Sequence, residues 1–120
     1  MRILAVDDDQ DILLVLKFIL EDSGYDVETL NDGQFLFEKI NEQFPDLILL
    51  DIMLGKLDGR ELCRDVKKNE KTHDIPVILI SAGHDTKDLL YKVGSPNAFL
   101  AKPFDLDELL EVIKLQLPAA

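Results

Sequence analysis

Leu47-Ile48-Leu49-Leu50-Asp51 is a run of four apolar residues closed by a carboxylate. A short run with no polar alternation reads as a strand buried on both faces, the habit of parallel sheets covered by helices. The same pattern recurs along the chain. Ile3-Leu4-Ala5-Val6 is closed by Asp7 and Asp8, Val77-Ile78-Leu79-Ile80 by Ser81, and Ala98-Phe99-Leu100-Ala101 by Lys102, which precedes Pro103. In an open parallel sheet the carboxyl ends of the strands share one edge, and ligands bind there. Asp7, Asp8, Asp51, Ser81 and Lys102 are therefore expected to converge.

Amphipathic stretches separate the runs. Strands are expected at Arg2–Val6, Asp26–Leu30, Leu47–Leu50, Val77–Ile80 and Ala98–Leu100, the second at an edge because its alternation is only partial. Helices are expected at Gln10–Asp22, stopped by Gly24, and at Gly33–Gln43, Asp58–Asn69, Asp85–Val93 and Asp105–Leu117. The first should bury Ile12, Val15, Leu16, Ile19 and Leu20, and the last Leu106, Leu109, Leu110, Ile113 and Leu117. Asp105, three residues before Glu108, reads as an N-cap. Five strands alternating with five helices predict an α/β fold, a doubly wound five-stranded parallel sheet in a three-layer αβα sandwich. The order expected for this size is 2-1-3-4-5, whose switch point lies between strands one and three, the strands that end in Asp7-Asp8 and Asp51.

Bulk properties narrow the function. The 120 residues suit a single domain spanning 1–120, and 47% hydrophobic content argues against disorder. A net charge of −11 disfavours nucleic acid and anionic membrane surfaces as direct partners. It suits cations and basic proteins. One cysteine, Cys63, excludes an internal disulfide, no signal-like segment precedes Asp7, and no apolar stretch reaches membrane-spanning length, so the expected location is cytoplasmic.

The convergent charges specify a chemistry. Three carboxylates brought together repel unless a cation intervenes. A hard divalent ion, Mg²⁺ or Mn²⁺, prefers such oxygens. Three aspartates and Lys102 leave two negative charges, which one such ion cancels, so a phosphoryl dianion can approach. A carboxylate can then act as nucleophile toward phosphorus, with metal and lysine stabilising the transferring group. The Ser81 hydroxyl is placed to bond a phosphoryl oxygen, and Pro103 suits a cis peptide beside Lys102.

Val6-Asp7-Asp8-Asp9, Asp51-Ile52-Met53-Leu54 with Asp58-Gly59, Ser81-Ala82 and Lys102-Pro103 together resemble the receiver domain of two-component response regulators, over the whole chain and in order. The resemblance implies a flavodoxin-like, CheY-like fold with Asp51 as phosphoacceptor. It implies Asp7 and Asp8 as the acidic pair for Mg²⁺, Asp8 the more direct ligand, and the Met53 carbonyl as a further ligand. Ser81 and Phe99 take the switch positions, and Lys102 the phosphoryl contact. A histidine kinase or phosphotransfer protein would supply the phosphoryl group, and a downstream protein would read the face made by helix four, strand five and helix five. A homodimer formed on phosphorylation is left open. Two departures stand out. Gly55 occupies a position where proline is usual, which predicts a more mobile loop. The stretch between Ser81 and Gly94 is short, which predicts a short fourth helix.

A haloacid-dehalogenase-type phosphatase also uses Asp, Ser, Lys and Mg²⁺, but Asp7-Asp8-Asp9-Gln10-Asp11 lacks its Thr or Val, and no later acidic pair or cap insertion follows. A receiver-like interaction module that takes no phosphate would not need the full set. An EF-hand starting at Asp7 would need Gly at Ile12 and Glu at Phe18. Asp9 reads as a cap, Asp11, His73 and His84 as solvated, and Cys63 as core. With no DNA-binding segment after Leu117, the expected output is a protein contact or a further chain.

Overall fold

A run such as Leu47–Leu50 offers water no polar face, so it is stable only with strand neighbours on both sides and helices on both faces. The computed structural model, which describes residues 1–82 and 95–117, places it there. The strands are β1 (Arg2–Val6), β2 (Asp26–Leu30), β3 (Leu47–Asp51), the two-residue strands β4 (Met53–Leu54) and β5 (Leu57–Asp58), β6 (Val77–Ser81) and β7 (Ala98–Ala101). Five of them form a parallel sheet in the order β2-β1-β3-β6-β7, while β4 and β5 pair only with each other, antiparallel. Setting that small hairpin aside, the order is the expected 2-1-3-4-5. The helices are α1 (Gln10–Asp22), α2 (Leu36–Glu42, entered through a 3₁₀ turn at Gly33–Phe35), α3 (Gly59–Lys68) and α4 (Leu106–Gln116). The helix expected at Asp85–Val93 and its neighbour His84 lie outside the described residues.

Alternation along each strand divides the core in two. Ile3, Ala5, Leu47, Leu49, Ile78, Ile80 and Leu100 face α1 and α4, meeting Leu13, Leu16, Leu20, Leu109 and Ile113. Leu4, Val6, Ile48, Leu50, Val77 and Leu79 face α2 and α3, meeting Leu36, Ile40, Cys63 and Val66. Each fully buried Leu or Ile contributes about 1.5–3 kcal/mol relative to exposure. Burial also pushes the Cys63 thiol up to about 11, Lys67 opposing the shift.

Two helix faces differ from the sequence reading. On α1 the buried residues are Leu13, Leu16 and Leu20, while Val15 is 56% exposed beside Leu14 and Phe18. On α4 Leu109 and Ile113 are buried, but Leu106, in the first turn, is 48% exposed. In both helices apolar residues outnumber the positions one face can bury, so the stripe is chosen by the sheet they meet.

The ends are chemically specified. Asp9 caps α1, its Oδ1 accepting from Asp11 N–H at 2.9 Å. Gly24 closes that helix at φ +96°, with Tyr25 N–H on Leu20 C=O and Gly24 N–H on Glu21 C=O, a Schellman end. Asp58 caps α3 through Arg60 N–H at 2.8 Å, and Asp105 caps α4 through Glu108 N–H at 2.8 Å.

Candidate functional site

Strand register assembles the site. Val6 pairs with Leu50, so Asp7 and Asp51 are the next residues of adjacent strands. Asp51 pairs with Ile80, which puts Ser81 one step further along the same edge. Ser81 pairs with Ala101, and Lys102 N–H donates to the Ser81 carbonyl at 2.7 Å. Residues nearly a hundred positions apart thus meet by stepwise offsets across four strands.

Asp7, Asp8 and Asp51 each offer a carboxylate oxygen within 4.8 Å of the others. Asp7 and Asp51 are buried, at 1% and 5% exposure, and Asp8 opens to solvent. The Lys102 ammonium lies 3.0 Å from Asp51 Oδ2 and 3.5 Å from Asp7 Oδ2. The other oxygen of each buried carboxylate is held by backbone: Asp9 N–H donates to Asp7 Oδ1 at 2.9 Å, and Met53 N–H to Asp51 Oδ1 at 3.2 Å. Both carboxylates are therefore fixed in rotamer and in direction, with Asp8 alone free to adjust from the rim.

The electrostatics follow from that packing. Burial, aided by the charge of Asp51 and opposed by Asp9 N–H and Lys102, raises Asp7 from an ordinary 3.8 to about 6. Burial pulls Lys102 down, but its hydrogen bond and charge contact with Asp51, and the charge of Asp7, outweigh this and leave it raised. Lys102 stays cationic at neutral pH. Two buried carboxylates and a rim carboxylate against one ammonium leave an excess of negative charge in a partly dry pocket. Hard oxygens in that number and spacing fit a small divalent cation.

The remaining expected residues fall on the same edge or just behind it. Ser81 is buried at the end of β6. Met53 opens β4 directly after the acidic centre, its backbone already engaged with Asp51. Phe99 is half-buried in β7, level with Leu79, and packs on the core facing α2 and α3. The Lys102–Pro103 peptide is cis. Asp9 caps α1 rather than joining the cluster, as its position suggested.

Three glycines complete the site. A Cβ on Gly59 would overlap the carbonyl oxygen of Asp51, and Gly59 N–H donates to Ile52 C=O at 2.7 Å. A Cβ on Gly33 would sit 2.8 Å from Leu62 Cδ1 and 3.1 Å from Leu54 Cδ1, so the 3₁₀ turn lies directly on the hairpin. Gly55 has φ +63° and Lys56 a negative φ, the pattern of a II′ turn joining Leu54 to Leu57. The position that departs from proline thus carries a defined hairpin turn. A proline could not adopt this φ. In the sequence Asp58-Gly59 belongs to the motif, but nothing there marks why residue 59 must be glycine. A close backbone approach leaves no periodic signal.

Comparison with known proteins gives the same answer from several sides. The sequence pattern of the response regulator receiver domain matches residues 3–114. The response regulator ArlR of Staphylococcus saprophyticus is 38% identical over 117 residues, 97% of this chain and 52% of that protein. The alkaline phosphatase synthesis transcriptional regulatory protein PhoP of Bacillus subtilis is 36% identical over 115 residues, 94% of this chain and 47% of its own. The chain spans about half the length of these relatives. Among solved structures, a response regulator from Chloroflexus aurantiacus superposes with a TM-score of 0.86 at 29% identity, covering 96% of this chain and 95% of that one. Chemotaxis protein CheY4 of Vibrio cholerae does so with 0.86 at 26%, covering 97% and 98%.

Proposed function

The chain belongs to the response regulator receiver domain family of two-component systems, and we propose that it is a phosphoryl-accepting switch whose acceptor is Asp51. One observation carries the assignment. Asp51 is the buried carboxylate that touches both the lysine and the hairpin, through Oδ2 and Oδ1. A change at this one group is felt by two elements.

Asp7, Asp8 and Asp51, with the Met53 carbonyl, would hold a Mg²⁺ or Mn²⁺ ion. When bound, that ion neutralises the carboxylates and draws charge from the transferring phosphoryl oxygens. The chain's own residues do the rest. An Asp51 carboxylate oxygen attacks phosphorus in line, the bond to the donor breaks, and its electron pair leaves with the donor. For a histidine kinase or phosphotransfer protein the bond broken is P–N. Lys102, whose ammonium already lies against Asp51, contacts the phosphoryl oxygens, and the Ser81 hydroxyl donates to another. Movement of Ser81 toward that oxygen frees space for Phe99 and shifts a two-state equilibrium toward the form a downstream protein reads. Water later cleaves the acyl phosphate, so the role is signalling, with chemistry confined to the domain's own modification. The relatives named as response regulators and transcriptional regulators are about twice as long, and a DNA-directed output would belong to such an added part. Among the described residues no helix is long and apolar enough to cross a membrane.

The test is labelling with acetyl phosphate and Mg²⁺. One phosphoryl group per chain is expected in the wild type and none in Asp51→Asn. Stoichiometric labelling of Asp51→Asn at another site would sink the assignment. Steady multi-turnover hydrolysis of a phosphate ester would point to a phosphatase instead.

A further inference from the structure

Asp8 is the carboxylate of the acidic centre that opens to solvent, and it lines a cleft of about 450 Å³ between the loop after β2 and the β4–β5 hairpin. Among the described residues the lining holds one other acid, Asp32, and one base, Lys56. Asp32 is already committed: its Oδ1 accepts from Gln34 N–H at 3.1 Å and its Oδ2 from Gln34 Nε2 at 2.9 Å. Asp8 and Lys56 are both exposed, and neither makes a hydrogen bond or ion pair with any described residue. The backbone of Lys56 is nonetheless well placed. It follows Gly55 at the tip of the hairpin, where Gly55 has φ +63°, and Leu54 is buried against the turn at Gly33. Two opposite charges, each without another partner, thus share one cleft. Such a cleft is narrow against a Debye length of roughly 20 Å at about 0.02 M salt, so each charge feels the other.

We infer that Lys56 is a tethered counter-cation to Asp8 that holds down the affinity of the acidic centre for divalent metal. The inference rests on Asp7, Asp8 and Asp51 being the metal ligands. In the metal-free protein the ammonium partly neutralises the rim carboxylate. A divalent ion approaching Asp8 meets a like charge carried by the hairpin and competes with it for the same oxygens. Lys102 cannot take this part, because its ammonium is engaged by Asp51 and Asp7 at 3.0 and 3.5 Å. The effect is one of charge and not of shape, so ions of equal charge and different radius must feel it alike. Its consequence is a centre whose occupancy follows the concentration of metal, where the bare excess of carboxylates would hold the ion more tightly.

The experiment measures Mn²⁺ binding to the whole chain from the EPR signal of the free ion, and Mg²⁺ binding by competition against it. At about 0.02 M salt, Lys56→Gln should lower both dissociation constants roughly three-fold, by the same factor for the two ions. Lys56→Arg should behave as wild type. Lys71→Gln removes an equal charge from the exposed loop between α3 and β6, and should move the constants by only about 1.2-fold. Raising the salt to about 0.5 M should erase the gain in Lys56→Gln. Unchanged binding in Lys56→Gln beside a wild type that binds both ions would overturn the proposal. So would an equal gain in Lys71→Gln, which would make net charge the cause. A gain that differs between Mg²⁺ and Mn²⁺, or that persists at high salt, would mark a change of shape and overturn it too. A wild type that binds neither ion would overturn the metal reading of the three aspartates as well, which separates the two failures.

Discussion

Strand β3 and the nine residues Asp51–Gly59, which begin at its last position, are continuous in sequence and different in construction. In β3 every residue is buried, and four of the five are held by apolar contact on two sheet faces. From Asp51 onward Ile52 and Leu54 still join the core, but the course of the chain is set by single backbone groups. Met53 N–H bonds the Asp51 carboxylate, Gly59 N–H bonds Ile52 C=O, Gly55 makes the turn, and a hydrogen atom stands where Gly59 faces Asp51. Apolar packing spreads its energy over many weak contacts and tolerates changes of similar volume. A segment built on missing side chains has no such tolerance. The difference places stiffness where the chemistry is, one residue past a strand that could be repacked.

The sharpest way to break this contrast is Gly59→Ala set against Leu49→Ala. The single methyl on Gly59 should cost about 4 kcal/mol or more, in the exceptional tail of point mutations, because the atom it meets is backbone that cannot turn aside. It should also weaken Mg²⁺ binding, since the displaced carbonyl belongs to Asp51. The far larger deletion at Leu49 should cost about 3 kcal/mol as a cavity and leave metal affinity unchanged in the folded fraction. Denaturant melts and metal titrations on both variants decide it, and a Gly59→Ala protein more stable than Leu49→Ala would remove the distinction.

Gly55→Ala tests the turn alone. Placing a Cβ at φ +63° should destabilise the protein by about 1 kcal/mol, while nothing lies within 4 Å to clash with it. A loss as large as that at Gly59 would mean that the hairpin is held by contact rather than by conformation.

The smallest effect concerns pH. In the metal-free protein the folded form holds the Asp7 proton up to about pH 6, against 3.8 ordinarily, so it binds protons more tightly than the unfolded chain. Stability from this group is therefore lost as pH rises from about 4 to 6, and the penalty persists above that. Thermal melts with EDTA at pH 5 and 7.5 should show the protein less stable at the higher pH by more than in Asp7→Asn. An Asp7→Asn profile parallel to wild type would show that other titratable groups, not the buried Asp7 carboxyl, set the response.

Much of this was legible in the sequence, for reasons that differ by region. Runs such as Ile3–Val6 and Leu47–Leu50 announce doubly covered strands because burial on both faces erases alternation, and the charged residue that ends each run marks the solvent edge. The run ends alone are enough to bring Asp7, Asp8, Asp51, Ser81 and Lys102 to one edge. The burial stripe of α1 was not legible. Ile12, Leu13, Leu14, Val15, Leu16, Phe18, Ile19 and Leu20 occupy every side of the cylinder, and only docking on the sheet selects Leu13 over Val15. The hairpin escaped as well, since two pairs of residues are too short for a periodic signal. Gly33 and Gly59 stood in plain view, but their meaning is a distance to residues far off in sequence or across a turn.

Cys63 carries a practical consequence. It is the sole thiol of the chain, lies sealed between α3 and the sheet, and is pushed up to about 11 by that burial. At neutral pH almost none of it is thiolate, and alkylating reagents cannot reach it in the folded protein. A cysteine introduced on any exposed position is therefore the one that dyes, spin probes or cross-linkers will find, without first removing the native residue. Distances between the hairpin and the helices can be followed by such probes on the otherwise unaltered domain.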